Sequence, residues 1–236
     1  MTIDNQKTRL VQAGGKHDII VPVGDNCEVG LQLYRAGFTR GSLLRFASSK
    51  LKNVVQLIED DFKGAFENVL PRSPETVRCL KYDIRWHTRF DIRKENGQWV
   101  IPESNFKAQY PNELTKINFL IERLRTQLRG TQRLLFIYKS NVGDFEDIGA
   151  FIELIEKKYP QLPFSFLLVK TPQQTIGLTH SRLFVEDVQW LAPYTNALNG
   201  GNNKNWYRIL GRYMKVDGLY RLGIRRKFRS TRPKSK

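Results

Sequence analysis

The sequence has 236 residues, a formal net charge of +16, 40% hydrophobic residues and 11% aromatic residues. A chain of this length and composition can bury a sizeable core, which excludes general disorder and favours a single domain. No apolar run approaches the ~20 residues that cross a bilayer, and residues 1–7 lack the apolar segment of a signal peptide. We therefore expect a cytoplasmic protein with a flexible lead-in at residues 1–15.

The cysteines and histidines are too few and too far apart in sequence to predict a disulfide framework or a metal site. Cys27 and Cys79 belong to no C-x-x-C pair, and His17, His87 and His180 are widely separated. This spacing predicts neither a metal site nor a cofactor, and reduced thiols are expected.

Residues 19–37 predict a strand, a sharp turn and a helix. A β-branched apolar run comes first and breaks at Gly24. Asp25 or Asn26 then occupies the place of a helix N-cap, and Gly37 the place of the glycine that follows a helix.

Cys27 falls in the first turn of this predicted helix. The unpaired N–H groups and the dipole of the helix favour a thiolate there, which is the nucleophilic form. The negative charges of Asp25 and Glu28 oppose ionisation unless they pair with a cation. Two interpretations follow: Cys27 is a nucleophile, or it is a small buried apolar residue at a tight turn.

The next segments mix helix and strand signals. Helical spacing of apolar residues predicts a helix over 49–61, and residues 66–74 resemble a loop. Partial alternation predicts a β-region over 77–90, followed by a hairpin turn at Asn96-Gly97.

The middle of the chain indicates a parallel sheet. A helix is predicted to start after Asn112 and to end at Gly130. Apolar strands at 134–138 and 164–169 flank a helix that Asp144 can cap, which is the pattern of a βαβ unit. We expect a three-layer α/β fold, flavodoxin-like or SGNH-hydrolase-like, in which helices flank a mostly parallel sheet and a small antiparallel hairpin is added.

The positive charge is concentrated at the end of the chain. Residues 204–236 carry twelve Lys and Arg against Asp217, a net charge of +11, whereas residues 1–203 carry only +5. We therefore divide the chain into an α/β domain at 16–203 and a basic aromatic extension at 204–236. Cations interleaved with aromatic and aliphatic residues favour an anionic membrane surface, with nucleic acid as the less favoured partner and a merely solvated tail as the alternative. The anion-binding candidates are Arg221, Arg225, Arg226, Lys227 and Arg229.

Two motifs, GDNCExGxxL at 24–33 and SLLRFAS at 42–48, resemble a bacterial family described as papain-like cysteine peptidases. The resemblance implies that Cys27 is the recurrent cysteine and His87 the recurrent histidine. It also implies a setting in surface-polysaccharide assembly, with a glycan or glycolipid as substrate. A papain-like α+β domain is the alternative fold, although its cysteine helix packs on an antiparallel sheet.

The leading catalytic hypothesis pairs Cys27 with His87, which would take the thiol proton and later protonate a leaving group. Its alternative is a structural histidine packed among aromatic neighbours. The third, orienting group is Asp91, Asp83 or Asn141, and the sequence does not choose among them.

Further residues are candidates for substrate binding. Arg45 lies in an apolar context and could hold a carboxylate or phosphate, or pair with a nearby aspartate. Asn141 follows a strand and could help to bind an anion at a helix N-terminus, while His180 could enter a site at the carboxyl edge of the sheet. Asp25 and Asn26, beside Cys27, complete the set.

The sequence thus supports two functions of different classes. The first is a thiol-dependent enzyme that acts on an acyl or glycosyl bond in surface-glycan metabolism. The second is a non-catalytic binding protein, peripheral at the inner membrane or bound to nucleic acid through its basic extension. No oligomeric state is predicted.

Overall fold

A computed structural model describes residues 16–193, 196 and 201–214. The strands are β1 (Ile19–Pro22), β2 (Val69–Ser73), β3 (Thr76–Cys79), β4 (Ile84–His87), β5 (Arg93–Glu95), β6 (Gln98–Val100), β7 (Leu134–Lys139), β8 (Phe164–Lys170) and β9 (Leu183–Asp187). The helices are α1 (Glu28–Arg35), α2 (Leu51–Glu59), α3 (Glu103–Arg129), α4 (Asp147–Lys158) and α5 (Asn203–Tyr213). None of the helices in these ranges is long and apolar enough to cross a membrane.

The main sheet contains four parallel strands in the order β1-β7-β8-β9. The predicted βαβ unit is present as β7, α4 and β8, and β1 pairs with β7 from Ile19 opposite Leu134 to Pro22 opposite Ile137. The prediction of a mostly parallel sheet flanked by helices is confirmed. A papain-like domain has an antiparallel sheet, so that alternative does not describe this fold.

Alternate residues of the buried strands face two separate cores. Leu135 and Ile137 pack with α1 and α5 on one face, whereas Phe136 and Tyr138 pack with α2, α3 and α4 on the other. The helices that follow β1 and β7 therefore lie on opposite faces of the sheet. In open α/β sheets, ligands bind at the carboxyl ends of strands where this reversal occurs, here between β1 and β7.

An antiparallel sheet in the order β2-β3-β4 and the hairpin β5-β6 are inserted between α2 and α3. The predicted turn at Asn96-Gly97 is confirmed, because both residues have positive φ, 49° and 84°. The predicted loop at 66–74 is wrong over Val69–Ser73, which form β2. Proline has no N–H to donate to a neighbouring strand. Because β2 is an edge strand, no strand on its outer side requires that hydrogen bond from Pro71.

Helix α3 begins at Glu103, not after Asn112 as predicted, and Pro111 lies inside it. The added turns carry Phe106 and Tyr110, whose ring centroids are 4.8 Å apart. Tyr110 also stacks on Phe66 at 6.2 Å. Tertiary aromatic packing therefore outweighs the local cost of proline in a helix interior, which is about 3 kcal/mol.

Helix α5 belongs to the α/β domain. Its residues Trp206, Ile209 and Leu210 are buried in the core beneath α1. The predicted boundary at residue 203 is therefore too early, because the apolar residues of this segment pack against the sheet. The anion-binding candidates between residues 221 and 229 and the lead-in at 1–15 lie outside the described residues.

Candidate functional site

Cys27 and His87 meet at the carboxyl end of β1, 60 positions apart in sequence. The Sγ atom of Cys27 lies 3.5 Å from Nε2 of His87 and 3.6 Å from the carbonyl oxygen of Phe46. Cys27 is the residue that precedes α1, and His87 is the last residue of β4. A thiol and an imidazole at this distance can exchange a proton directly.

The turn before Cys27 depends on two unusual backbone conformations. Gly24 has φ 116° and Asp25 has φ 60°, both in the left-handed region. A Cβ atom on Gly24 would lie 2.8 Å from the carbonyl oxygen of Ser49, so only glycine lets the turn contact that loop. The side-chain oxygen of Asn26 then accepts a hydrogen bond from the N–H of Glu28 at 2.8 Å and begins the helix.

Two contacts hold β4, and hence His87, against the loop that follows α1. Ser48 and Arg85 exchange backbone hydrogen bonds of 3.0 and 2.9 Å. The indole N–H of Trp86 donates to the carbonyl oxygen of Leu43 at 3.1 Å. The imidazole is therefore positioned by strand pairing and by a buried tryptophan.

Cys27 and His87 line a pocket of about 250 Å³, which we call the Cys27 pocket. One wall comes from the β2-β3 hairpin, and two arginines give the pocket a positive character. The lining residues are Asn26, Cys27, Phe46, Ser48, Arg72, Ser73, Thr76, Arg85 and His87.

A buried cation lies behind the turn that holds Cys27. The ammonium group of Lys139, the last residue of β7, is fully buried and lies 3.3 Å from carboxylate oxygens of both Asp25 and Glu28. It also donates to the side-chain oxygen of Asn141 at 2.8 Å. The two carboxylates beside the thiol are thus paired with a cation, which is the condition under which they do not oppose its ionisation.

Glu28 connects this cluster to the C-terminal part of the domain. One carboxylate oxygen accepts from the backbone N–H of Ala192 at 2.8 Å, and the other accepts from the indole N–H of Trp206 at 2.9 Å. Each oxygen of this fully buried carboxylate therefore has a partner, as a buried charge requires.

Burial raises the pKa of the Cys27 thiol, and the nearby cation of Lys139 offsets only part of this effect. The direction of this shift favours the neutral thiol, so we expect activation of Cys27 to require a base such as His87.

Asp91 does not orient His87, so this predicted third group is wrong. Its carboxylate accepts from the side chain of Asn105 at 2.7 Å, because the chain turns toward α3 after β4. Asp83 pairs with Arg78.

The acidic side chain that faces the imidazole is Glu75, 3.9 Å from Nδ1 of His87. Thr76 pairs with His87 across β3 and β4, which places the preceding Glu75 near Nδ1 of the ring. The loop predicted at 66–74 concealed this hairpin. Partial alternation on both sides of it was the signal that could have revealed Glu75.

Two other predicted binding residues lie away from the pocket. Arg45 is buried and donates to the backbone oxygens of Arg40, Gly30 and Phe38, so it pairs with neither of the nearby aspartates. His180 precedes β9, which runs parallel to β8, and therefore lies at the amino edge of the sheet, where its Nδ1 accepts from the N–H of Arg182. The predicted place at the carboxyl edge is wrong for His180.

Asp25, Asn26 and Asn141 lie at the carboxyl edge of β1 and β7. Asp25 and Asn141 join the Lys139 cluster, and the backbone N–H of Asn141 donates to Asp25 at 3.2 Å. Asn26 is 4% exposed, and its Nδ2 atom has no hydrogen-bond partner in the described part of the chain.

Comparisons of the chain with protein-family models, with curated proteins and with solved structures give no match. The resemblance to papain-like cysteine peptidases therefore stays a prediction from two short motifs. The geometry around Cys27 is the basis for the function proposed below.

Proposed function

We propose that the chain is a thiol-dependent enzyme that hydrolyses or transfers an acyl group, with Cys27 as nucleophile and His87 as general base. The observation that carries the proposal is the 3.5 Å distance between Sγ of Cys27 and Nε2 of His87 at the wall of a pocket. A structural histidine packed among aromatic residues needs neither a thiol partner nor a place in a pocket. Glycosyl-bond chemistry and the surface-glycan setting remain predictions from the resemblance.

The first half of the reaction forms a thioester. Nε2 of His87 accepts the Sγ proton while the sulfur attacks the acyl carbon, and the carbonyl π electrons move to the oxygen. The tetrahedral intermediate collapses, the bond to the leaving group breaks, and the imidazolium returns its proton to that group.

The second half releases the acyl group. His87 takes a proton from water or from an acceptor alcohol or amine, whose oxygen or nitrogen attacks the thioester carbon. The sulfur leaves and regains its proton from the imidazolium. A raised thiol pKa suits this sequence, because the proton of Cys27 moves to His87 as the bond forms.

Asn26 can stabilise the oxyanion of both intermediates. Its side-chain oxygen is held by the N–H of Glu28, and its Nδ2 is a buried donor without a partner, in the residue that precedes the nucleophile. A preorganised donor of this kind acts only on charge that develops during the reaction.

The test is acylation by p-nitrophenyl acetate, with release of nitrophenol and the mass of the intact protein measured together. We expect one acetyl group on Cys27, none in Cys27→Ala, and a 10²- to 10⁴-fold slower reaction in His87→Gln. Cys79→Ala is the matched control, because Cys79 is a fully buried thiol that does not line the pocket. Equal rates for His87→Gln and the unaltered chain would remove the assignment.

The alternative of a membrane- or nucleic-acid-binding protein rests on residues 215–236, which lie outside the described residues. It stays a prediction. Sedimentation with anionic vesicles should use charge reversal at Arg225, Arg226 and Lys227, because truncation after residue 203 would also remove the packed helix α5. Unchanged sedimentation after charge reversal would exclude these cations as a membrane anchor.

A further inference from the structure

A second pocket lies at the opposite end of α1 from Cys27. Its volume is about 430 Å³, and it is bounded by the start of β1, the loop that follows α1 and one side of α3. No lining residue is shared with the Cys27 pocket. Since α1 has eight residues, the two pockets are separated by roughly 12 Å of helix. We call this second cavity the Arg123 pocket.

The Arg123 pocket holds more positive than negative charge. Three arginines line it, Arg40, Arg45 and Arg123, against one carboxylate, Asp18. Asp18 accepts from the backbone N–H of Arg133 at 2.9 Å, so it already has a role at the start of the sheet. The pocket therefore has an excess of cations that its own carboxylate does not balance.

The three arginines differ in what they contact. Arg45 is 3% exposed and donates hydrogen bonds to the backbone oxygens of Arg40 and Gly30, so it forms part of the wall of the pocket. Arg40 and Arg123 have no ion pair or side-chain hydrogen bond within residues 16–193, 196 and 201–214. Arg123 is nevertheless partly buried on α3. A guanidinium that loses water without gaining an anion is destabilised, and an anionic ligand would relieve that cost.

Two further polar atoms in the wall of the same pocket also lack partners. The hydroxyl of Ser42 and Nε of Arg45 are buried without a hydrogen bond, and they are two of four such atoms in the described residues. One part of the lining is apolar and includes Ile19, Phe38 and Met214. The cavity thus combines an anion-binding side with an apolar side.

We propose that the Arg123 pocket binds a phosphate ester with a compact, flat organic group. Guanidinium forks match the oxygens of phosphate, and Gln127 in the lining can add a neutral hydrogen bond. The apolar wall would contact the organic group. This proposal does not depend on the activity proposed for Cys27.

The test is isothermal titration of the full chain with adenosine 5′-monophosphate, glucose 6-phosphate and inorganic phosphate. Adenosine monophosphate should bind most tightly, because only its base can cover the apolar wall. Arg123→Gln and Arg40→Gln should each weaken its binding by about 10- to 100-fold, the usual effect of losing a hydrogen bond to a charged group. Benzoate, a flat carboxylate, tests whether phosphate is required, and binding as tight as that of the nucleotide would overturn the choice of phosphate.

Arg89→Gln is the matched control, because it removes the same charge from an exposed residue that lines neither pocket. Cys27→Ala should also bind the nucleotide unchanged, which separates this site from the catalytic proposal. Thermal unfolding checks that each variant is folded. Absence of binding, or equal weakening by Arg89→Gln and Arg123→Gln, would overturn the proposal, because the basic surface as a whole would then account for the effect.

Discussion

The pockets at the two ends of α1 balance their charges in different ways. Behind the Cys27 pocket, Lys139 pairs with two carboxylates, and both oxygens of Glu28 have additional donors. In the Arg123 pocket, Arg40 and Arg123 have no such partners among the described residues. At the Cys27 end of α1, the charged groups pair with one another within the chain. At the other end, Arg40 and Arg123 require an anion from outside.

This difference suits the two proposed roles. A nucleophile must keep its geometry whether or not substrate is present, so its surroundings are fixed by internal pairs. A binding site gains affinity by leaving charges that only the ligand satisfies. The predictions below test the balance at the Cys27 end, from the largest expected effect to the smallest.

Lys139→Met should have the largest effect of these variants on the free energy of unfolding. The change leaves Asp25 and Glu28 buried without their cation, and loss of one partner from a buried pair costs about 3–5 kcal/mol of unfolding free energy. Urea denaturation measures the loss. Lys50→Met is the control, because its ion pair with Asp144 is 3.8 Å long and the Lys50 side chain is 63% exposed, so the change should cost no more than about 1 kcal/mol. Equal losses in both variants would show that the cluster does not stabilise the domain.

Asn26→Asp tests whether the side chain of Asn26 stabilises the negative charge that develops on the oxyanion during the reaction. The variant keeps an oxygen for the N–H of Glu28 but replaces the unpartnered donor Nδ2 by a second acceptor. Acylation of Cys27 should fall by about 10²- to 10³-fold, the usual effect of losing an oxyanion donor. Thermal unfolding of the same variant provides the control. If acylation is lost only in proportion to the fraction unfolded, Asn26 has a structural role alone.

The pH dependence of alkylation tests the neutral state of Cys27. Because burial raises its pKa, the thiolate fraction at pH 7 is smaller than in an unfolded chain. The rate with iodoacetamide should rise by about tenfold per pH unit until the raised pKa is reached, since only the thiolate reacts. Peptide mass spectrometry resolves Cys27 from Cys79, which is fully buried and should stay unlabelled. A rate independent of pH would indicate a thiolate at rest.

Glu75→Gln should have the smallest effect. Its carboxylate is 79% exposed and 3.9 Å from Nδ1 of His87, so water screens much of the interaction. We expect the acylation rate to fall by less than about fivefold, which corresponds to the upper limit of about 1 kcal/mol for an exposed pair. Asp91→Asn is the matched control and should leave the rate unchanged. A larger loss in Asp91→Asn than in Glu75→Gln would reverse this assignment.

The elements that repeat one simple pattern were predictable from the sequence. The apolar strands β7 and β8 with α4 between them, and the Asn96-Gly97 turn, are set by local chemistry. The start of α3 and the strand β2 were missed because long-range contacts override a proline in each case. Pro111 is carried in a helix by aromatic stacking, and Pro71 is tolerated on a sheet edge.

The candidate site was also predictable only in part, because some of its contacts are local in sequence and others are long-range. The turn around Cys27 has a strong local signal, and the resemblance supplied His87. Lys139 could not be found, because it lies on β7, far from Cys27 in sequence. Glu75 was missed because the loop predicted at 66–74 concealed the β2-β3 hairpin. An acidic residue close in sequence, Asp91, was a natural but incorrect choice, since local proximity does not determine which side chain faces a ring.

The hydrogen bond from the indole of Trp206 to the carboxylate of Glu28 has a consequence for synthesis of the protein. The two residues are 178 positions apart, and ribosomes add about 5–20 residues per second, so roughly 9–36 s separate their appearance. During that interval the nascent chain contains the thiol and the imidazole but not the indole that completes the buried carboxylate. We expect translation products that stop short of α5 to carry the Glu28 carboxylate without its indole partner, so that the proposed catalytic site is completed only after α5 has been made.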